Sequence, residues 1–145
     1  MVGQEHSRRE VPLRGIRHIY GSSRTMARHG TRGAFNVYRR LPDIKDSRCT
    51  FEVGLFQETL LSFIGNHDFS RKLIIHLDAD LFSSTLFVLT TLARHFKHGD
   101  VVFFDNFICS LDEFRAFETF VKSFRVKYEV LGAVGQYSRV SVKIL

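Results

Sequence analysis

Two short segments carry the side chains best suited to chemistry, Asp78-Ala79-Asp80 and Asp105-Asn106. On extended backbone, side chains two positions apart point to the same side, so Asp78 and Asp80 can converge on one point. If the segments end neighbouring strands, those ends lie roughly 5 Å apart and Asp105 comes within reach of the same point. Three carboxylates that close repel one another unless a cation or a shared proton intervenes. A hard divalent ion such as Mg²⁺, which prefers oxygen ligands, is the natural counterpart. A strand-end aspartate also commonly caps the next helix or turn, and Ser83-Ser84-Thr85 follows closely. Capping explains a lone aspartate better; two strand ends reading Asp-x-Asp and Asp-Asn favour a functional site.

The elements that must position these groups are legible on either side of them. Leu73–Leu77 and Val101–Phe104 are compact apolar runs, the pattern of strands buried on both faces. Ligands of open α/β sheets gather beyond the carboxyl ends of such strands. Ser83-Ser84-Thr85 supplies N-cap chemistry for a helix through Leu86, Val88, Leu89, Leu92 and Ala93. That helix is expected to stop around His98-Gly99, where glycine can turn left-handed. Gln57–Ile64 has helical spacing at Leu60, Leu61 and Ile64, and Cys49–Val53 alternates like a short strand. Phe114, Phe117, Phe120, Val121 and Phe124 form one apolar helical stripe. Tyr128–Leu131 and Arg139–Leu145 read as two strands joined through Gly132–Ser138 into an antiparallel hairpin. The sum is an α/β sheet, parallel at its centre with right-handed crossovers.

Size and charge set the bounds. At 145 residues, 44% hydrophobic and 25% charged, the chain suits one folded core and excludes wholesale disorder. No apolar run approaches the roughly 18 residues of a membrane span, and no apolar h-region marks a secretory signal. Cys49 and Cys109 cannot build a disulfide framework or a thiolate metal cluster, which fits a reducing, cytoplasmic setting. The net charge of +6 is uneven: residues 1–48 carry eleven basic and four acidic side chains, the remainder ten and eleven. Residues 1–32 therefore read as a basic, irregular or disordered leader. A basic arm attracts phosphate backbones, but Tyr20 is the only aromatic before Phe35, so nucleic acid is not the expected partner. Among single residues, His76 reads as a neutral core histidine and His95 and His98 as structural groups at a helix end. The fifteen phenylalanines read mostly as core, and Cys109 lacks a basic neighbour to make it a catalytic thiol.

The decapeptide His76-Leu77-Asp78-Ala79-Asp80-Leu81-Phe82-Ser83-Ser84-Thr85 resembles the His-Ile-Asp-x-Asp-Leu-Tyr-Ser-Ser-Thr segment of the macrocin O-methyltransferase-like family. These are class I S-adenosylmethionine-dependent methyltransferases. The likeness extends through Gly33-Ala34-Phe35, Leu41-Pro42 and Gly54–Leu60 upstream, and through Gly99–Asp105 and Glu113–Phe117 downstream, covering about residues 33–145. It implies that Asp78 and Asp105 ligate a divalent metal, Mg²⁺ or similar, and that Asp80 takes the proton from the substrate hydroxyl. Asn106 stands where the family usually has an acidic residue; its amide oxygen would be a weaker third ligand. The family's glycine-rich cofactor turn is not found before Gly33, so no residue is assigned to S-adenosylmethionine.

The resemblance thus implies a truncated Rossmann-like methyltransferase sheet, mostly parallel with a C-terminal antiparallel hairpin and lacking the first two strands. Residues 33–145 would form this partial domain behind the leader. The intact order is 3-2-1-4-5-7-6, so Leu73–Leu77 becomes an exposed edge. Three remedies stand open: the Cys49–Val53 strand moves in beside it, the leader covers it, or the chain oligomerises; the first is favoured because it needs no partner. The implied activity is metal-assisted O-methylation of a sugar or natural-product hydroxyl. The alternative is a non-catalytic remnant serving as a binding or oligomerisation module, with nucleic-acid association through the leader ranked below it.

Overall fold

The apolar runs around the aspartates do become strands. The computed structural model describes residues 41–47, 49–108 and 111–145, and the described chain divides into two units between Leu55 and Phe56. The leader expected over 1–32, the segment Gly33-Ala34-Phe35 and Cys109 lie outside the described residues. The second unit contains helix α1 (Phe56–Asn66), strand β1 (Ile74–Leu77), helix α2 (Phe82–Leu92), strand β2 (Val101–Phe104), helix α3 (Glu113–Phe124), and strands β3 (Tyr128–Val134) and β4 (Arg139–Ile144). None of its helices is long and apolar enough to cross a membrane.

The four strands form one mixed sheet in the order β1-β2-β4-β3. β1 and β2 run parallel, with Ile74 opposite Val101 and Leu77 opposite Phe104. β4 runs antiparallel to β2, and β3 antiparallel to β4 with an irregularity between Val130 and Gly132. The hairpin expected at the C-terminus is present, and its first strand reaches three residues further than the sequence suggests. Its turn holds Gly135, Gln136 and Tyr137 all at positive φ (59°, 54° and 67°).

Strand alternation delivers Leu77, Val102, Phe104, Val140, Val142 and Ile144 to a single buried face. α3 packs there through Ala116, Phe117 and Phe120; the Phe117 ring lies 5.1 Å from Phe104 and 4.9 Å from Tyr128. α2 lies against α3 and buries Val88, Leu89 and Leu92, while α1 lies against α2 and buries Leu60.

The opposite face is open, which corrects the expectation of strands buried twice over. Ile74 is 71% exposed, Phe103 42% exposed, and His76 is exposed rather than a core histidine. A continuous apolar run records that a strand is hydrophobic; it does not record whether a second layer exists to cover it. Phe114 and Phe124 likewise stay exposed, so the phenylalanine stripe is buried only along its middle.

Three further expectations are corrected. Cys49–Val53 forms no strand: Glu52 and Val53 are exposed, and β-formers hold a strand only where a half-buried pleated surface receives them. No strand from Cys49–Val53 therefore joins the sheet. Nor does Ser83-Ser84-Thr85 cap α2, which starts at Phe82 after Leu81 with no side-chain cap. The helix gives way at Ala93–His95 to a tighter turn, so Gly99 (φ 89°) takes its left-handed conformation in the Lys97–Asp100 turn before β2. His95 has a structural place at that helix end: its ring stacks on Phe69 at 4.1 Å, and partial burial beside Arg94 and Lys97 lowers its pKa, favouring the neutral ring.

Thr85 illustrates what the misplaced cap leaves behind. Its side chain is fully buried, and its Oγ1 has no hydrogen-bond partner among the described residues. A buried hydroxyl without a partner costs roughly 1–3 kcal/mol. Thr85→Val keeps the shape and removes that cost, so urea unfolding should show a gain of about 1 kcal/mol or more.

Candidate functional site

The site is built from the loops that leave β1 and β2 on the same side of the sheet. Because those strands are parallel neighbours in register, Asp78 and Asp105 are the next residues beyond the paired Leu77 and Phe104. The Asp105 N–H still donates to the Leu77 carbonyl at 3.0 Å, extending the ladder into the rim. Asp78 is exposed there. Asp80 is half-buried, held at φ 55°, a left-handed conformation that asparagine and aspartate tolerate better than other side chains. The Asn106 Nδ2 donates a hydrogen bond to Asp80 Oδ1. The structure therefore places all four sequence-derived candidates, Asp78, Asp80, Asp105 and Asn106, at one rim.

The electrostatics follow from that crowding. Burial raises the pKa of Asp80, the negative charge of Asp78 raises it further, and the Asn106 hydrogen bond opposes both. Asp105 and Asp112 add weaker repulsion. Asp105 is compensated differently: the Arg139 guanidinium donates to its Oδ1 in an ion pair. Register explains the partner, since β2 and β4 are antiparallel with Phe104 opposite Val140, leaving Arg139 opposite Asp105.

Glu113, like Arg139, is a residue that sequence reasoning missed. It stands at the first position of α3, fully buried, and its two oxygens hold two different loops. The Ala79 N–H donates to Oε1 at 3.0 Å and the Asn106 N–H to Oε2 at 3.2 Å. One carboxylate thus fixes the backbone on both sides of the aspartate rim. A glutamate at a helix start is ordinary in sequence; only its place beside two turns far away in the chain gives it this role. Arg115, two residues on, lies over the Phe82 ring at 5.6 Å and ties α3 to the start of α2.

The donors do not, as placed, fit a divalent cation. Asp105 is occupied by Arg139 and Asn106 turns its amide nitrogen to Asp80. No group of three His, Cys, Asp or Glu side chains among the described residues is arranged to hold a metal.

The carboxylates crowd at the C-terminal ends of adjacent parallel strands, the edge at which open α/β sheets generally gather ligands. The chain belongs to the macrocin-O-methyltransferase (TylF) family, whose model matches residues 19–138. No curated protein and no solved structure matches it.

Two outcomes test this geometry. Burial raises the Glu113 pKa even though the backbone N–H groups of Ala79 and Asn106 oppose it, so the folded chain holds that proton more tightly than the unfolded one. The resulting stability is complete below the ordinary glutamate value and is lost as pH rises through the raised one. Wild type should therefore lose stability relative to Glu113→Gln as pH climbs, and Glu113→Ala should cost about 1–3 kcal/mol by leaving two part-buried backbone donors without their acceptor. Separately, Arg139→Ala frees Asp105, and Mn²⁺ titration should show divalent binding strengthened about tenfold or more over wild type.

Proposed function

We propose that the rim of β1 and β2 serves methyl transfer from S-adenosylmethionine to a hydroxyl group of a small sugar or natural-product acceptor, with Asp80 receiving the hydroxyl proton. The observation that carries this reading is Asp80 itself, fixed on left-handed backbone and braced by Asn106, in a chain of this family. The strand order β1-β2-β4-β3 supports reading the sheet as the second half of a Rossmann-like one, since the resemblance assigns 4-5-7-6 to the last four strands.

When bound, S-adenosylmethionine supplies the electrophilic methyl group. Among the described residues no glycine-rich turn joins a strand to a helix, so none is assigned to the cofactor. The chain's own contribution is made by Asp80 and its neighbours. Half-burial and the charge of Asp78 raise the proton affinity of Asp80, which suits a general base. Asn106 holds one oxygen of Asp80 and thereby orients the other. The acceptor oxygen would bond to the methyl carbon as the cofactor's carbon–sulfur bond breaks and the thioether S-adenosylhomocysteine leaves, while the hydroxyl proton passes to Asp80. No step is routed through Mg²⁺, because two of the three donors implied for it, Asp105 and Asn106, are engaged with Arg139 and Asp80.

The same Arg139–Asp105 pair favours a second reading, a methyltransferase-like module that binds without catalysis. Transfer of an isotope-labelled methyl group to a panel of hydroxylated small molecules, with Mg²⁺ supplied, separates the two. Under the catalytic reading, Asp80→Asn lowers turnover about 10²–10⁴-fold while calorimetry shows unchanged cofactor affinity. Wild-type protein that neither binds S-adenosylmethionine nor transfers its methyl group overturns that reading, as does full turnover by Asp80→Asn.

A further inference from the structure

β1 is the outermost strand of the sheet, and no strand among the described residues pairs with its outer side. The carbonyls of Leu73 and Leu77 accept from Val101 and Asp105, so the odd-numbered residues turn their backbone groups toward β2. The N–H and C=O groups of Ile74 and His76 therefore point outward, a template for another strand. Both side chains are exposed on the open face. The strand is also flanked by opposite charges: Arg71 and Lys72 precede it, and Asp78 and Asp80 follow it.

We propose that two copies of this chain pair antiparallel through the outer edges of β1, with the twofold axis at Ile75. Outward-facing residues must pair with outward-facing residues, which allows only registers that match even positions with even positions. Of these, the register centred on Ile75 sets Ile74 against His76 and Lys72 against Asp78 of the second copy, twice over by symmetry. Parallel pairing in register would set Lys72 against Lys72 and Asp78 against Asp78, which is repulsive. Charges flanking an edge strand normally discourage pairing; charges of opposite sign at its two ends instead select an antiparallel partner of identical sequence. The two sheets become one of eight strands, Ile75 meets its counterpart, and the Lys72 ammonium, which in the single chain donates to the His98 carbonyl at 3.2 Å, exchanges that contact for Asp78 of the other copy.

Sedimentation over a concentration series tests this without reference to methyl transfer. The expected result is a reversible dimer; a species of monomer mass at every concentration overturns the proposal. Lys72→Asp and Asp78→Lys should each raise the dissociation constant about tenfold, and the double variant should restore it. Failure of the double variant to restore it overturns the register. Ile74→Pro removes an outward N–H while sparing the ladder to β2, so it should yield a folded monomer; a persistent dimer overturns the proposal. Amides of Ile74 and His76 protected from hydrogen exchange in a monomer would mean that another segment of the same chain occupies the edge, and would overturn it too.

Discussion

Two buried carboxylates lash β1 to the rest of the molecule, one at each end. At the N-terminal end, Asp100 is fully buried and accepts the Leu73 N–H at 2.9 Å on one oxygen and the Lys97 N–H at 2.7 Å on the other. At the C-terminal end, Glu113 does the same for Ala79 and Asn106. A four-residue strand with one ladder neighbour among the described residues has few backbone bonds of its own, so these side-chain clamps set where it begins and where its loop departs. Each of these side chains uses both oxygens to accept backbone N–H groups, and leaving such donors and acceptors unmade is costly. The position of every aspartate at the rim descends from this arrangement.

Much of the framework was legible in the sequence. Leu73–Leu77, Val101–Phe104 and the terminal hairpin announce themselves by apolar content and turn residues, and the decapeptide around Asp78 announces the family. What failed was whatever depends on distant neighbours. Cys49–Val53 alternates as a strand should, yet alternation supplies no partner. Ile74 and Phe103 belong to apolar runs, yet α3 covers only the other face of the sheet, with α2 packed against α3.

The site divides along the same line. Asp78, Asp80, Asp105 and Asn106 were found because local chemistry marks strand ends, and the structure gathers them at one rim. Glu113 and Arg139 escaped because neither is unusual where it stands. Glu113 acts through loops thirty-four and seven residues away, and Arg139 through the register of an antiparallel pair. The difference between a cation site and a compensated cluster of acids rests on that one guanidinium, which no reading of the Asp-x-Asp segment alone could supply.

The hairpin turn gives this compensation a mechanical side. Gln136 and Tyr137 sit in left-handed backbone without being glycine, a conformation that costs roughly 1–2 kcal/mol per residue. The pairing of β3 with β4 and the Ser138 N–H bond to the Gly135 carbonyl at 3.0 Å offset that cost, so winding and pairing are linked. Arg139 is the first residue of β4 beyond the bend, and the Ser138 carbonyl beside it receives the Phe107 N–H from the loop after β2. The tip is therefore a wound spring latched at its base, and slackening the ribbon would withdraw the counter-charge from Asp105 before it disturbed the hydrophobic interior.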